Sequence, residues 1–290
     1  MDRQVDPGHF DGPLTPHGDG ALTVAVGGIA VRFEGLSAPL LAAALERYGP
    51  FLSDETPVHT VRLCEGPDDY LDMAEDKFLR LEEARFPEGR TLVSHVFAAY
   101  RPDHASREGI LKLHPATPED PSLGALENYL RWVVADLALD RRGFVLHAAG
   151  LVRDGKGYVF FGPSGAGKST LAGMSDGCEL LSDDLVLIKE RAGAFHVAST
   201  PFAGTLPQSV KRPGLFPLQG LYRLRQAPRH EVHPLRPRSV AVASLLSCCP
   251  FVADPSARRD RLLPLVETCC AAVPVFELEF LKDPGFWAML

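Results

Sequence analysis

Residues 158–174 read YVFFGPSGAGKSTLAGM. An apolar strand pattern, YVFF, runs into a glycine-rich loop and then into the start of an apolar helix. The loop, GPSGAGKST over 162–170, satisfies G-x-x-x-x-G-K-[ST] in full. Strand, loop and helix in that order are the context in which the pattern cradles phosphate. Gly162, Gly165 and Gly167 let the backbone curl with its N–H groups inward, and Pro163, Ser164 and Ala166 complete the curve. The helix N-terminus adds partial positive charge. Lys168 has the reach for the β- and γ-phosphates, the Ser169 hydroxyl is a ligand type for Mg²⁺, and Thr170 closes the motif.

Working outward, ELLSDDLVLI (179–188) reads as a strand with two carboxylates in its middle. Asp183 and Asp184 follow Lys168 by only 15 and 16 residues, whereas most nucleotide hydrolases carry their acidic metal ligand much further on. Side chains alternate along a strand, so the two carboxylates diverge unless a strand end or bulge turns them together. Carboxylates among apolar neighbours need metal or hydrogen-bond partners. One is expected to bind Mg²⁺ through water, the other to take the proton of an attacking hydroxyl. On the upstream side, His147 in FVLHAAGLV (144–152) leads through the turn RDGKG and a second strand into Gly162. Read alone, a strand histidine is more often a satisfied core residue. A transporter ATPase carries the same loop, but also an LSGGQ-like signature and a distant apolar strand ending in Asp-Glu. Neither occurs here, which disfavours a hydrolytic motor.

Taken together, residues 145–188 resemble the catalytic domain of HPr kinase/phosphorylase, and more closely the HPr-kinase-related proteins found beside peptide-modification systems. The resemblance covers about residues 140–290 and is densest over 144–190. It implies an α/β, P-loop, phosphoenolpyruvate carboxykinase-like catalytic domain acting on ATP with Mg²⁺. Under it, Lys168 grips the β- and γ-phosphates, Ser169 and Asp183 belong to the metal shell, and Asp184 is the proton acceptor for the substrate hydroxyl. His147 matches the family's active-site histidine. There are departures. The stretch where the family has a later Mg²⁺-binding glutamate reads STPFAGTLP (199–207), and the helix after the loop is shorter. The family's late catalytic arginine has Arg212 as a candidate. The implied activity is γ-phosphoryl transfer to a hydroxyl, above all a serine of a protein or peptide. A small-molecule (amino-acid) kinase and a non-catalytic nucleotide-binding regulator stay open as alternatives. So do ATP against GTP and the reverse, phosphorolytic reaction.

The remainder of the chain sets the frame. Its 290 residues are 46% apolar, enough for two cores, and a net charge of −7 argues against a nucleic-acid partner. The absence of a long apolar run argues against a membrane partner, so a cytoplasmic location is expected. Homo-oligomerisation is left open. Residues 1–20, polar and rich in Gly and Pro, are expected to be a disordered tail. Residues 21–140 read as a smaller α+β N-terminal domain of unknown role, and 141–290 as the catalytic domain. LTVAVGGIAVRF (22–33) predicts a hairpin about Gly27–Gly28. Leu126, Tyr129, Leu130, Val133, Val134 and Leu137 predict a helix over 118–143, capped by Ser122 and ended by Gly143. Residues 236–249 and 256–272 also look helical, and 273–281 reads as a closing strand. The six cysteines, with doublets at 248–249 and 269–270, lie in apolar segments and read as reduced core thiols. Residues 205–253 hold seven basic residues (Lys211, Arg212, Arg223, Arg225, Arg229, Arg236, Arg238) against one acid, Glu231. That island is either a positive rim for nucleotide or acidic peptide, or an ordinary solvated surface.

Overall fold

The computed structural model describes residues 5–66, 81–102, 107–114, 119–202, 204, 211–252 and 255–290. It is a mixed α/β structure with two sheets, and the chain divides into two compact units, Met1–Val133 and Val134–Leu290.

The first unit opens with the hairpin β1 (Gly20–Val26) and β2 (Ile29–Leu36), joined at Gly27 and Gly28, whose φ angles are +55° and +83°. Positive φ at both turn residues matches the twist of the flanking strands. Helix α1 (Ala38–Tyr48) then crosses to β3 (His59–Glu65), which pairs parallel to β2. After it come β4 (Glu82–Phe86), β5 (Gly89–Val93), β6 (Phe97–Pro102) and β7 (Glu108–Leu113), giving the order β1-β2-β3-β7-β6-β5-β4. Helix α2 (Glu119–Asp140) contributes the buried Leu126, Tyr129, Leu130, Trp132 and Val133 to this unit.

Three expectations change here. Residues 5–19 are not a disordered tail. Val5 and Phe10 are buried against Val93 and Ala98, and the backbone pairs through Glu65 N to Thr15 O (2.8 Å) and His17 N to Leu63 O (3.2 Å). The partners lie far along the chain, so composition alone does not report them. Ser122 lies inside α2 and does not cap it. Gly143 does not end the helix either. Arg142 takes the left-handed conformation (φ +54°), and Gly143 starts the next strand, where a Cβ would stand 2.9 Å from Ile188 O.

Gly109 in β7 sits at a close approach. A Cβ there would stand 1.8 Å from the Tyr129 hydroxyl, which is itself hydrogen-bonded to His59 Nε2 at 2.8 Å. Gly109→Ala is expected to cost about 1–3 kcal/mol by overpacking. Urea unfolding measures it, and a loss below about 0.5 kcal/mol, the size of an ordinary surface substitution, would mean the ring swings aside freely.

The second unit runs β8 (Gly143–Arg153), β9 (Lys156–Phe161), α3 (Lys168–Gly173), β10 (Glu179–Ser182), β11 (Leu185–Arg191), β12 (Ala194–Ala198), β13 (Leu215–Gln226), β14 (Glu231–Pro234) and α4 (Arg238–Leu246). It closes with α5 (Pro255–Ala257), a π-helical turn (Arg258–Leu262), α6 (Leu263–Ala272), β15 (Val275–Phe280) and a final 3-10 turn (Pro284–Met289). The main path of its sheet is β10-β8-β11-β12-β13-β15-β14, with β9 pairing to β8 and β13. Strand β13 runs parallel to both β9 and β15, so the three strands end on the same side.

Alternation along β9 splits the core into two faces. Val159 and Phe161 pack with Val242, Leu245, Val266 and Cys269 of α4 and α6. Tyr158 and Phe160 pack with Leu171 of α3, Tyr222, Leu278, Phe280 and Phe286. The cysteines are free thiols, four of them buried. Burial pushes Cys249 up to about 12 and Cys270 to about 11, the signature of inert core groups. Among the described residues no helix is long and apolar enough to cross a membrane.

Candidate active site

The glycine-rich stretch leaves the end of β9 and enters α3. Gly162, Gly165 and Gly167 all hold positive φ, at +154°, +79° and +103°. At Gly167 a second constraint applies, because a Cβ would come within 2.7 Å of Phe280 Cζ. Lys168 is 7% exposed, and its ammonium donates back to Gly162 O (2.9 Å) and Pro163 O (3.2 Å). Burial pushes its pKa below the ordinary lysine value, against the pull of the Asp184 carboxylate.

The aspartates do not sit in the middle of a strand. The expected strand over 179–188 is two strands, β10 and β11, broken at Asp183–Asp184, and both pair antiparallel to β8. Ser182 makes the break. Its hydroxyl oxygen accepts from Asp184 N (3.2 Å) and Leu185 N (3.3 Å), and it donates to Phe202 O (3.4 Å). A short hydroxyl side chain that binds amides two and three residues on offers the backbone a turn in place of the ladder. The break releases the two carboxylates from strict alternation, and both line the same cavity.

Their surroundings differ. Asp183 is 4% exposed, and its Oδ1 accepts from Gly204 N at 3.1 Å. Gly204 lies so close that a Cβ there would stand 2.3 Å from Asp183 Oδ2. Asp184 Oδ1 lies 3.2 Å from His147 Nδ1. The register explains the meeting: His147 sits opposite Leu185, and Ala148 N donates to Asp184 O at 2.9 Å. The His147 amide is also tied down, donating to Cys248 O at 2.8 Å.

One cavity of ≈ 450 Å³ is lined by His147, Ser164, Gly165, Gly167, Lys168, Ser169, Thr170, Asp183, Asp184, Gly204, Gln226 and Lys282. That size lies in the range of about 300–1,000 Å³ typical of small-ligand sites. Arg212 is exposed and does not line it. Gln226 and Lys282 do line it and were not singled out from the sequence. They stand far from the motif in the chain, and the parallel pairing of β13 and β15 brings them in.

Two members of the basic island are ion-paired. Arg225 pairs with Glu279 (3.0 Å) and Glu277 (3.5 Å) of β15, and Arg229 with Glu231 (2.9 Å). A second cavity, ≈ 360 Å³, opens by Arg236, Arg238, Cys270 and Phe276, at the other end of β15, and holds none of the motif residues.

The model of one protein family, SynChlorMet cassette protein ScmC, matches residues 110–288, more than half of the chain. The chain belongs to this family. The matched segment of this ScmC-family chain contains the whole cavity lining. No curated protein matches it. Among solved structures it is similar to the Hpr(Ser) kinase/phosphatase from Coxiella burnetii, at 14% identity over 50% of this chain and 90% of that one, with a TM-score of 0.28.

Proposed function

We propose that this site transfers the γ-phosphoryl group of ATP to a hydroxyl, and that the acceptor is a serine of a protein or peptide. The observation that carries the reading is the convergence of Lys168, Ser169, His147, Asp183 and Asp184 on one cavity. The glycine-rich motif and the sequence resemblance over 144–190 support it.

The donor set fits a hard cation. Ser169, Asp183 and Asp184 offer oxygens, and among the described residues no group of three or more His, Cys, Asp or Glu forms a cage. Mg²⁺ suits such a sparse set, because it keeps waters and phosphate oxygens as most of its ligands. Ser169 and Asp183 would hold it, and when bound it supplies charge neutralisation on the transferring group.

The chain's own residues do the rest. Loop amides and Lys168 orient the phosphates. Asp184 accepts the hydroxyl proton as the acceptor oxygen bonds to phosphorus and the bond to the ADP oxygen breaks. His147 holds the Asp184 carboxylate in its aim. Gly204 anchors Asp183 through its backbone amide.

Transfer of labelled γ-phosphate to a panel of serine peptides and free amino acids tests the reading. Labelled peptide is the expected result. Label on free amino acids alone would replace it with a small-molecule kinase, and tight nucleotide binding without turnover would replace it with a regulatory role.

The histidine has its own test. His147→Gln keeps a hydrogen-bonding side chain, so thermal melting should be close to wild type. Transfer should fall on the order of 10²-fold, the cost of a misaimed reacting group. Unchanged transfer per folded molecule in single-turnover assays would return His147 to a purely structural role.

A further inference from the structure

The cavity is lined by a second lysine that the motif does not supply. Lys282 lines it from the turn after β15. Lys168, by contrast, is held by two loop carbonyls. The charged side chains of the lining are thus two lysines against two aspartates, Asp183 and Asp184. Without Lys282 the carboxylates of the lining would outnumber its lysines.

The backbone that presents Lys282 is clamped on both sides by one imidazole. Leu281 N donates to His230 Nδ1 at 3.3 Å. A backbone N–H only donates, so Nδ1 is the acceptor and the proton resides on Nε2. His230 Nε2 then donates to Asp283 Oδ1 at 2.8 Å, an oxygen that also accepts from Gly285 N at 2.8 Å. Asp283 N closes the turn onto Leu281 O, also at 2.8 Å. The residues before and after Lys282 are therefore both tied by hydrogen bonds.

The same strand ends support the glycine-rich loop. Gln226 pairs in register with Phe280, and its Nε2 donates to Gly165 O at 3.0 Å. Phe280 lies beneath Gly167. Loop and Lys282 are thus carried on one support, the ends of β13 and β15.

We infer that Lys282 is a phosphate-binding residue of this site and that His230 is its positioning residue. The ligand class is a nucleoside polyphosphate. The inference rests on the nucleotide reading above. An exposed lysine adds a charge-assisted hydrogen bond without being needed for folding.

Titration calorimetry with Mg-ATP, on wild type and variants of the full chain, tests it. Lys282→Ala is expected to raise Kd by roughly tenfold, one charge-assisted contact, with unchanged thermal melting. Lys282→Arg should restore most of the affinity. His230→Ala should weaken binding in the wild-type background and add nothing to Lys282→Ala, because both act through one contact. Wild-type affinity in Lys282→Ala, while Lys168→Ala has lost binding, would overturn this inference and leave the nucleotide reading standing. Independent, additive losses would remove His230 from its role. Failure of the wild-type protein to bind nucleotide would overturn both.

Discussion

Lys168→Ala is expected to lose nucleotide binding and phosphoryl transfer together. The ammonium is buried, and its two contacts are carbonyl oxygens of the loop it belongs to. Phosphate oxygens compete well for those donors, because they carry full negative charge and the loop carbonyls do not. Removing a cation that makes one or two such bonds, each about 1.5–3 kcal/mol, should weaken nucleotide binding on the order of 10–10⁴-fold. Folding should be spared. Burial already pushes the Lys168 pKa down, which means that the charged form is costly where it sits. Calorimetry, thermal melting and single-turnover transfer on one preparation separate these effects. Transfer at close to the wild-type rate would show that the phosphate site lies elsewhere.

Asp184→Asn is the second large effect, and it is of the opposite kind. The substitution is nearly isosteric and leaves the backbone bond from Ala148 N to Asp184 O in place. The amide has no basic oxygen of carboxylate strength. Transfer should fall on the order of 10²–10⁴-fold, the usual size of general-base catalysis, with nucleotide affinity within a few-fold of wild type. If affinity for Mg-ATP collapses and the rate at saturation holds, Asp184 is a metal ligand. The base would then be Asp183, despite its bond to Gly204 N. The environments favour the first outcome. Asp183 is anchored by a backbone donor, while Asp184 faces the cavity beside His147.

Much of the candidate site is legible in the sequence alone. The motif at 162–170 has a fixed spacing because the curl of the backbone sets it, and strand, loop and helix follow in the expected order as β9, loop and α3. His147 stands 15 residues before Gly162, and the hairpin of β8 and β9, with Ala148 opposite Phe161, brings it beside the loop. The hairpin at Gly27–Gly28 and the apolar stripe of α2 were readable for the same reason, since turn chemistry and helical period are local. The detail that makes the aspartate pair usable was less visible. An apolar run over 179–188 has the composition of one strand, and only the Ser182 hydroxyl, by binding the amides of 184 and 185, splits it in two.

What the sequence by itself determined, then, is the chemistry carried by neighbouring residues: a glycine-rich loop with its lysine and hydroxyl, two carboxylates and a histidine. The tertiary structure alone decided how distant segments serve it. Parallel pairing of β13 with β9 and β15 delivers Gln226 beneath the loop and Lys282 into the cavity, and leaves Arg212 outside it. The glutamates of β15 neutralise Arg225, which in the sequence belonged to a basic island with a single acid. Distant backbone partners order residues 5–19, which by composition read as disordered. The physical reason is common to all three. Turn and helix preferences act between near neighbours and leave a pattern in the chain, whereas strand pairing and side-chain burial join residues whose separation in sequence carries no signal of their contact.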